Sequence, residues 1–295
     1  MKHLTFLLIL SLVFCLFAGC APQTMPADIA ATTLPVYEFT TMLCAGTGLQ
    51  VTQLVTESVS CLHDYALNVK QVKAVEAAQI VVINGAGLED FMADLLTDKP
   101  TVDASAGIEL LDTCHEHEHA HDHDHEADAA EVDAHIWLSP LHAATMAQNI
   151  CAGLCQQYPQ HAAVFQQNLV NLLAEIQALN DYGQAQLATL QQREVITFHD
   201  GFAYFAAWCD LEIVKAIEEE SGAEASAAEL IEIIQLARQH QIQAVFIEAN
   251  GSSSAANIIA AEVGAKVFTL HMAMSGESWF DAMYHNIDTI KEALG

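Results

Sequence analysis

The residues best suited to chemistry in this chain are histidines, and they fall into two patterns. Six of the fifteen stand at every second position of one stretch: His115, His117, His119, His121, His123 and His125. Glu116, Glu118, Asp122 and Asp124 lie between most of them. Neutral imidazoles are borderline ligands suited to zinc, nickel and copper, and flanking carboxylates raise the local cation concentration. A flexible run of six imidazoles binds several ions weakly and exchanges them quickly, so these residues are read as accessory weak metal sites. Two matches to His-Glu-x-x-His lie in the same stretch, at His115–His119 and His117–His121. That zinc-protease pattern works only on a helix, where both histidines share a face and the glutamate activates water. Strict alternation without apolar periodicity cannot build a buried catalytic helix, and both matches are read as chance.

The second pattern is four isolated histidines. His63 follows a β-type run from Val51 to Val55 and a short loop. His199 ends Val195-Ile196-Thr197-Phe198, and His271 ends Val267-Phe268-Thr269-Leu270. His135 sits just before Ser139-Pro140, a cap and first-turn proline that open a helix running to about Gln157. Open α/β sheets place their ligands at strand C-terminal ends. Each of these residues alone reads as an ordinary structural histidine. Together, four such imidazoles could meet in a cleft between domains and close a tetrahedral zinc shell.

The elements that must position them alternate. Beta-type runs at 51–56, 79–84, 195–198, 244–247 and 267–270 are separated by helical patterns at 68–78, 88–96, 226–240 and 252–263. Near-continuous apolar strands alternating with helices predict parallel sheets in an α/β fold. From about Gln160 to Leu190 the periodicity is helical throughout, some thirty residues, or about 45 Å. A helix so long suits a strut between two lobes. The expected organisation is an N-terminal α/β lobe over 21–158, a linking helix over 159–190 and a C-terminal α/β lobe over 191–295. The stretch from about 114 to 132 is read as a disordered His/acid-rich loop.

Residues 1–20 read as an export signal: Lys2, an apolar run from Leu4 to Ala18, then Leu16-Phe17-Ala18-Gly19-Cys20. Small residues before a cysteine resemble a bacterial lipobox, which makes Cys20 the lipidated residue. No later segment is apolar enough to span a bilayer. With 9 basic residues against 38 acidic ones and a net charge of −29, the chain is a poor partner for nucleic acid or anionic membrane surfaces and a good one for cations. Six cysteines remain beyond the signal, Cys44, Cys61, Cys114, Cys151, Cys155 and Cys209. An exported protein can form disulfides, but six scattered cysteines are no disulfide framework, and small buried apolar side chains describe them equally well.

Several segments, in order, resemble the metal-binding lipoproteins that feed zinc or manganese to ABC importers, the cluster A-I substrate-binding proteins of the zinc-importer type. They are Cys61-Leu62-His63-Asp64-Tyr65, the stretch from Gln79 to Glu89, Asp133-Ala134-His135-Ile136-Trp137-Leu138-Ser139-Pro140, Phe198-His199-Asp200-Gly201-Phe202-Ala203-Tyr204-Phe205, and Val245-Phe246-Ile247-Glu248. A His-rich acidic loop before the second ligand is typical of zinc-type members. The resemblance implies that His63, His135 and His199 are metal ligands; His at the third position marks the zinc subclass, where manganese types usually carry Glu. At the fourth position the family usually has an acid, whereas this chain has His271. Either His271 is a fourth ligand, or three histidines and water hold the metal.

The resemblance implies a lipid-anchored extracytoplasmic Zn2+ receptor, monomeric, serving an ABC permease, and not an enzyme. The alternatives are a receptor for manganese or another divalent metal, or a metal-dependent adhesin of the same fold. A zinc hydrolase would need a general base over metal-bound water; Glu248 and Asp200 are the candidates, and no motif supports either.

Overall fold

The computed structural model describes residues 27–57, 62, 65–112, 132–218, 225–249 and 251–295. The leader with Cys20, His63, Cys61, Cys114 and the whole His/acid run from His115 to His125 lie outside the described residues. The chain is α/β, with two four-stranded parallel sheets. The first contains β1 (Ile29–Ala31), β2 (Val51–Gln53), β3 (Ile80–Ile83) and β4 (Thr101–Asp103) in the order β2-β1-β3-β4. The second contains β5 (Glu194–His199), β6 (Glu212–Glu218), β7 (Ala244–Glu248) and β8 (Lys266–Leu270) in the order β6-β5-β7-β8. In each sheet the chain adds a strand on one side of its first strand and then crosses to the other. Strand order therefore reverses between β1 and β3 and again between β5 and β7. At such a reversal the flanking helices leave a crevice beyond the strand C-termini.

The helices are α1 (Leu34–Cys44), α2 (Val69–Ala77), α3 (Ala93–Leu96), α4 (Pro140–Gln157), α5 (Ala162–Leu187), α6 (Ala203–Cys209), α7 (Ala227–Gln239), α8 (Ser254–Val263) and α9 (Trp279–Leu294). Asn68 and Ser226 close reciprocal capping boxes with Gln71 and Glu229, which starts α2 and α7 where the sequence places them. Helix α4 begins at Pro140 as expected, although Ser139 makes no side-chain cap bond. The helix expected over 88–96 is instead a 3-10 turn (Asp90–Met92) and the single α-turn of α3. The buried Glu89 carboxylate accepts from the backbone of Asn84 and Gly85, and these bonds wind the chain into a turn.

Helix α5 is 26 residues long, about 39 Å. It packs on α1 and α4 at one end and on α6 and α9 at the other. Strand alternation sorts the core. Ile29, Ala31, Ile80 and Val82 point to one side, and Ala30 and Val81 to a smaller cluster on the outer face. In the second sheet Val195, Ala244 and Phe246 join the same large cluster, while Ile196, Phe198 and Val245 face outward under α7 and α8. The inner faces of both sheets thus share one continuous core through α5. Cys44, Cys151, Cys155 and Cys209 are free thiols. Burial pushes Cys44 and Cys151 up to about 12, so they behave as small apolar side chains. No described helix is long and apolar enough to cross a membrane.

Candidate metal centre

His199 is the last residue of β5 and Glu248 the last of β7, so they meet at the reversal of the second sheet. His199 Nδ1 pairs with Glu248 Oε1 in a short contact. His135 occupies the corresponding place over the first sheet. Asn84, directly after β3, donates to the Ala134 carbonyl at 3.0 Å and fixes the segment. Asp133 Oδ1 then accepts from the His135 backbone at 2.8 Å and lies 2.7 Å from His135 Nδ1. The two rings face each other edge-on, with centroids 5.3 Å apart and planes at 74°. His135, His199, Asp133 and Glu248 are all buried.

An ionised carboxylate only accepts hydrogen bonds, so each imidazole carries its proton on Nδ1 and leaves Nε2 with a lone pair. This is the arrangement by which outer carboxylates orient metal-binding histidines and raise their basicity. His135 Nε2 is buried without a hydrogen-bond partner, as are Asp133 Oδ2 and Glu248 Oε2. An unpaired buried polar atom costs about 1–3 kcal/mol, and a cation on Nε2 relieves it. Gly201 leaves room on the other ring, since a Cβ there would stand 2.9 Å from His199 Nε2. The donor set fits a borderline cation that accepts nitrogen.

The remaining sequence candidates are placed differently. His63 and the six clustered histidines lie outside the described residues. His271 follows β8 directly, but its ring packs edge-on against His285 on α9, with centroids 4.6 Å apart. Burial and the neighbouring His285 hold His271 below the ordinary histidine value. Among the described residues no three His, Cys, Asp or Glu side chains are grouped to hold an ion. Glu248, the candidate base of the hydrolase reading, has its Oε1 engaged by His199.

Sequence reasoning passed over the orienting roles of Asp133, Glu248 and Asn84, although all three stand in quoted motifs. An acid two residues before His135 and another ending an apolar strand were the available signals. Tyr204 was also missed. Its hydroxyl accepts from Leu111 N at 2.8 Å and donates to the Asp133 carbonyl at 3.0 Å. Asp133 N also donates to the Leu111 carbonyl at 2.8 Å, and Asp112 bridges Val132. Both roots of the segment carrying the His/acid run are therefore tied to α6, one of them beside His135.

Two parallel sheets, a linking helix and an imidazole pair between the two strand-order reversals define a two-lobed solute-binding protein of the helix-linked kind. The family of ZnuA, the periplasmic component A of the zinc-uptake complex, matches residues 29–293, and the chain belongs to this family. It is 28% identical to the high-affinity zinc uptake system protein ZnuA of Bacillus subtilis, with 98% of this chain and 97% of that protein aligned. A crystal structure of ZnuA superposes with a TM-score of 0.77 at 28% identity over 91% of this chain and all of that one. The Zn(II)-bound structure of AdcA from Streptococcus pneumoniae gives a TM-score of 0.74 at 27% identity over 90% of this chain, which spans 57% of AdcA.

Proposed function

We infer that this chain is an extracytoplasmic receptor that binds Zn2+ and delivers it to an ABC importer. The observation that carries the reading is the buried His135–His199 pair, with each Nδ1 on a carboxylate and His135 Nε2 left unpaired. Zinc accepts such nitrogen donors, whereas manganese favours carboxylate oxygens, and here Asp133 and Glu248 are turned to the imidazoles. We assign the tight shell to His63, His135 and His199, with water in the fourth position because His271 is engaged with His285. The protein acts as a carrier and catalyses no reaction.

Cys20 anchors the mature chain to the outer face of the membrane through lipid, and the permease reads the metal-bound face of a monomer. Native mass spectrometry of protein purified without chelator tests the binding role: one tightly held zinc per chain is expected. A chain that retains no zinc, or prefers manganese, overturns it. Zinc-limited growth of a deletion strain tests delivery and separates it from adhesion. Cys20→Ala is expected to release the protein from the membrane fraction.

A further inference from the structure

His271 and His285 form a contact that the tight site does not use. His271 directly follows β8, and His285 lies nearly two turns into α9. The rings meet at 86° with centroids 4.6 Å apart, the same edge-on arrangement as His135 and His199. Their relative position is held by the main chain. The fully buried Asn286, next to His285, accepts from His271 N and donates to the His271 carbonyl, both at 2.8 Å. His285 Nε2 lies 3.3 Å from the Thr269 carbonyl, which can only accept. The proton therefore belongs on Nε2, and Nδ1 keeps its lone pair. His285 is exposed and His271 half-buried, so a cation reaches them from solvent. Asp281, one helical turn before His285, adds negative charge on the same face.

We propose that His271 and His285 form a second metal site, a two-imidazole rim site for a borderline divalent cation such as Zn2+, separate from the His135–His199 centre. Preorganisation by Asn286 lowers the ordering cost of binding. Two nitrogen ligands with water completing the shell make it weaker and faster-exchanging than the enclosed centre. The net charge of −29 concentrates cations at such a rim. The site stands whether or not the chain serves an importer.

Site-resolved footprinting tests it. Full-length protein carrying one equivalent of Zn2+ is titrated with further Zn2+, treated with diethyl pyrocarbonate and read by peptide mass spectrometry, which reports each histidine separately. His271 and His285 are expected to become protected together, after the first equivalent and with one shared midpoint. His285→Gln is expected to abolish that protection of His271, and His271→Gln that of His285, while both variants keep the first equivalent. An unchanged modification rate at His285 throughout overturns the proposal, as does His285 protection that survives His271→Gln. Protection of His271 with the first equivalent, without His285, also overturns it and moves His271 into the tight shell.

Discussion

Asp133 and Glu248 decide what the two central imidazoles can do. Each is buried and each accepts a hydrogen bond from Nδ1 of its histidine, which leaves that imidazole's Nε2 lone pair free and the ring fixed in direction. Removing a ring should remove the tight zinc. At a hundredfold excess of metal over Kd, one tight site stabilises by about 2.7 kcal/mol, and His135→Ala or His199→Ala is expected to forfeit most of it. Calorimetric melting with and without zinc checks this; an undiminished zinc-induced shift in both variants would count against the assignment. Glu248→Gln keeps the size and an accepting oxygen but loses the charge that raises imidazole basicity. Its zinc affinity should fall about 10–100-fold, as measured by competition with a chromogenic chelator.

At the scale of elements, α5 must lie close to both halves, and one glycine sets how close. A Cβ on Gly183 would stand 2.2 Å from Trp208 Cη2 on α6. Trp208 is itself held by Asn180 Oδ1 at 2.8 Å. Gly183→Ala gains about 1 kcal/mol of helix propensity but overpacks the contact at a cost of about 1–3 kcal/mol. Net destabilisation in urea denaturation is expected, where an exposed helix glycine would give the opposite sign. At the end of the first sheet, burial pushes Glu89 up to about 7, against bonds from Thr32, Asn84 and Gly85 that favour the charged form. The folded chain then holds a proton that the unfolded chain releases near pH 4.5. Stability from this group therefore falls as pH rises from about 4.5 to 7, by up to roughly 3 kcal/mol. Denaturation midpoints of wild type and Glu89→Gln, compared across that window, should diverge with that sign.

Across the whole molecule the lobes are bolted as well as linked. Trp137 Nε1 donates to the Met272 carbonyl at 2.7 Å, and Trp279 Nε1 to the Trp137 carbonyl at 3.0 Å. Leu34 N reaches the Met274 carbonyl, and the Glu38 carboxylate caps α9 at Ser278 and Trp279. With a core continuous through α5, lobe separation would expose apolar surface, so zinc should leave the radius of gyration unchanged by small-angle scattering. The His/acid stretch belongs to this scale because six clustered imidazoles are expected to add to the metal capacity of the whole chain. Deleting residues 115–131 is expected to lower the total zinc count while the tightest phase in titration calorimetry survives. Free imidazoles have a pKa of ~6.5, so the weak sites should empty between roughly pH 7 and 5.5 as protons compete.

The α/β alternation and the long helix were legible in the sequence because each rests on local pattern, as were the places of His135 before a helix start and of His199 at a strand end. Apolar runs make strands, a 3.6-residue period makes α5, and Asn68 and Ser226 announce their helices through their own side chains. Strands β1, β4 and β6 were not legible: β1 and β4 are three residues each, too short to show a pattern, and β6 carries Glu212, Lys215 and Glu218 among its apolar residues. The pairing of His135 with His199 across 64 positions, the Glu248 that orients one of them and the turn of His271 towards His285 were decided by tertiary structure alone. Strand-order reversal and a shared core bring those residues together, and neither is a property of any local stretch of chain.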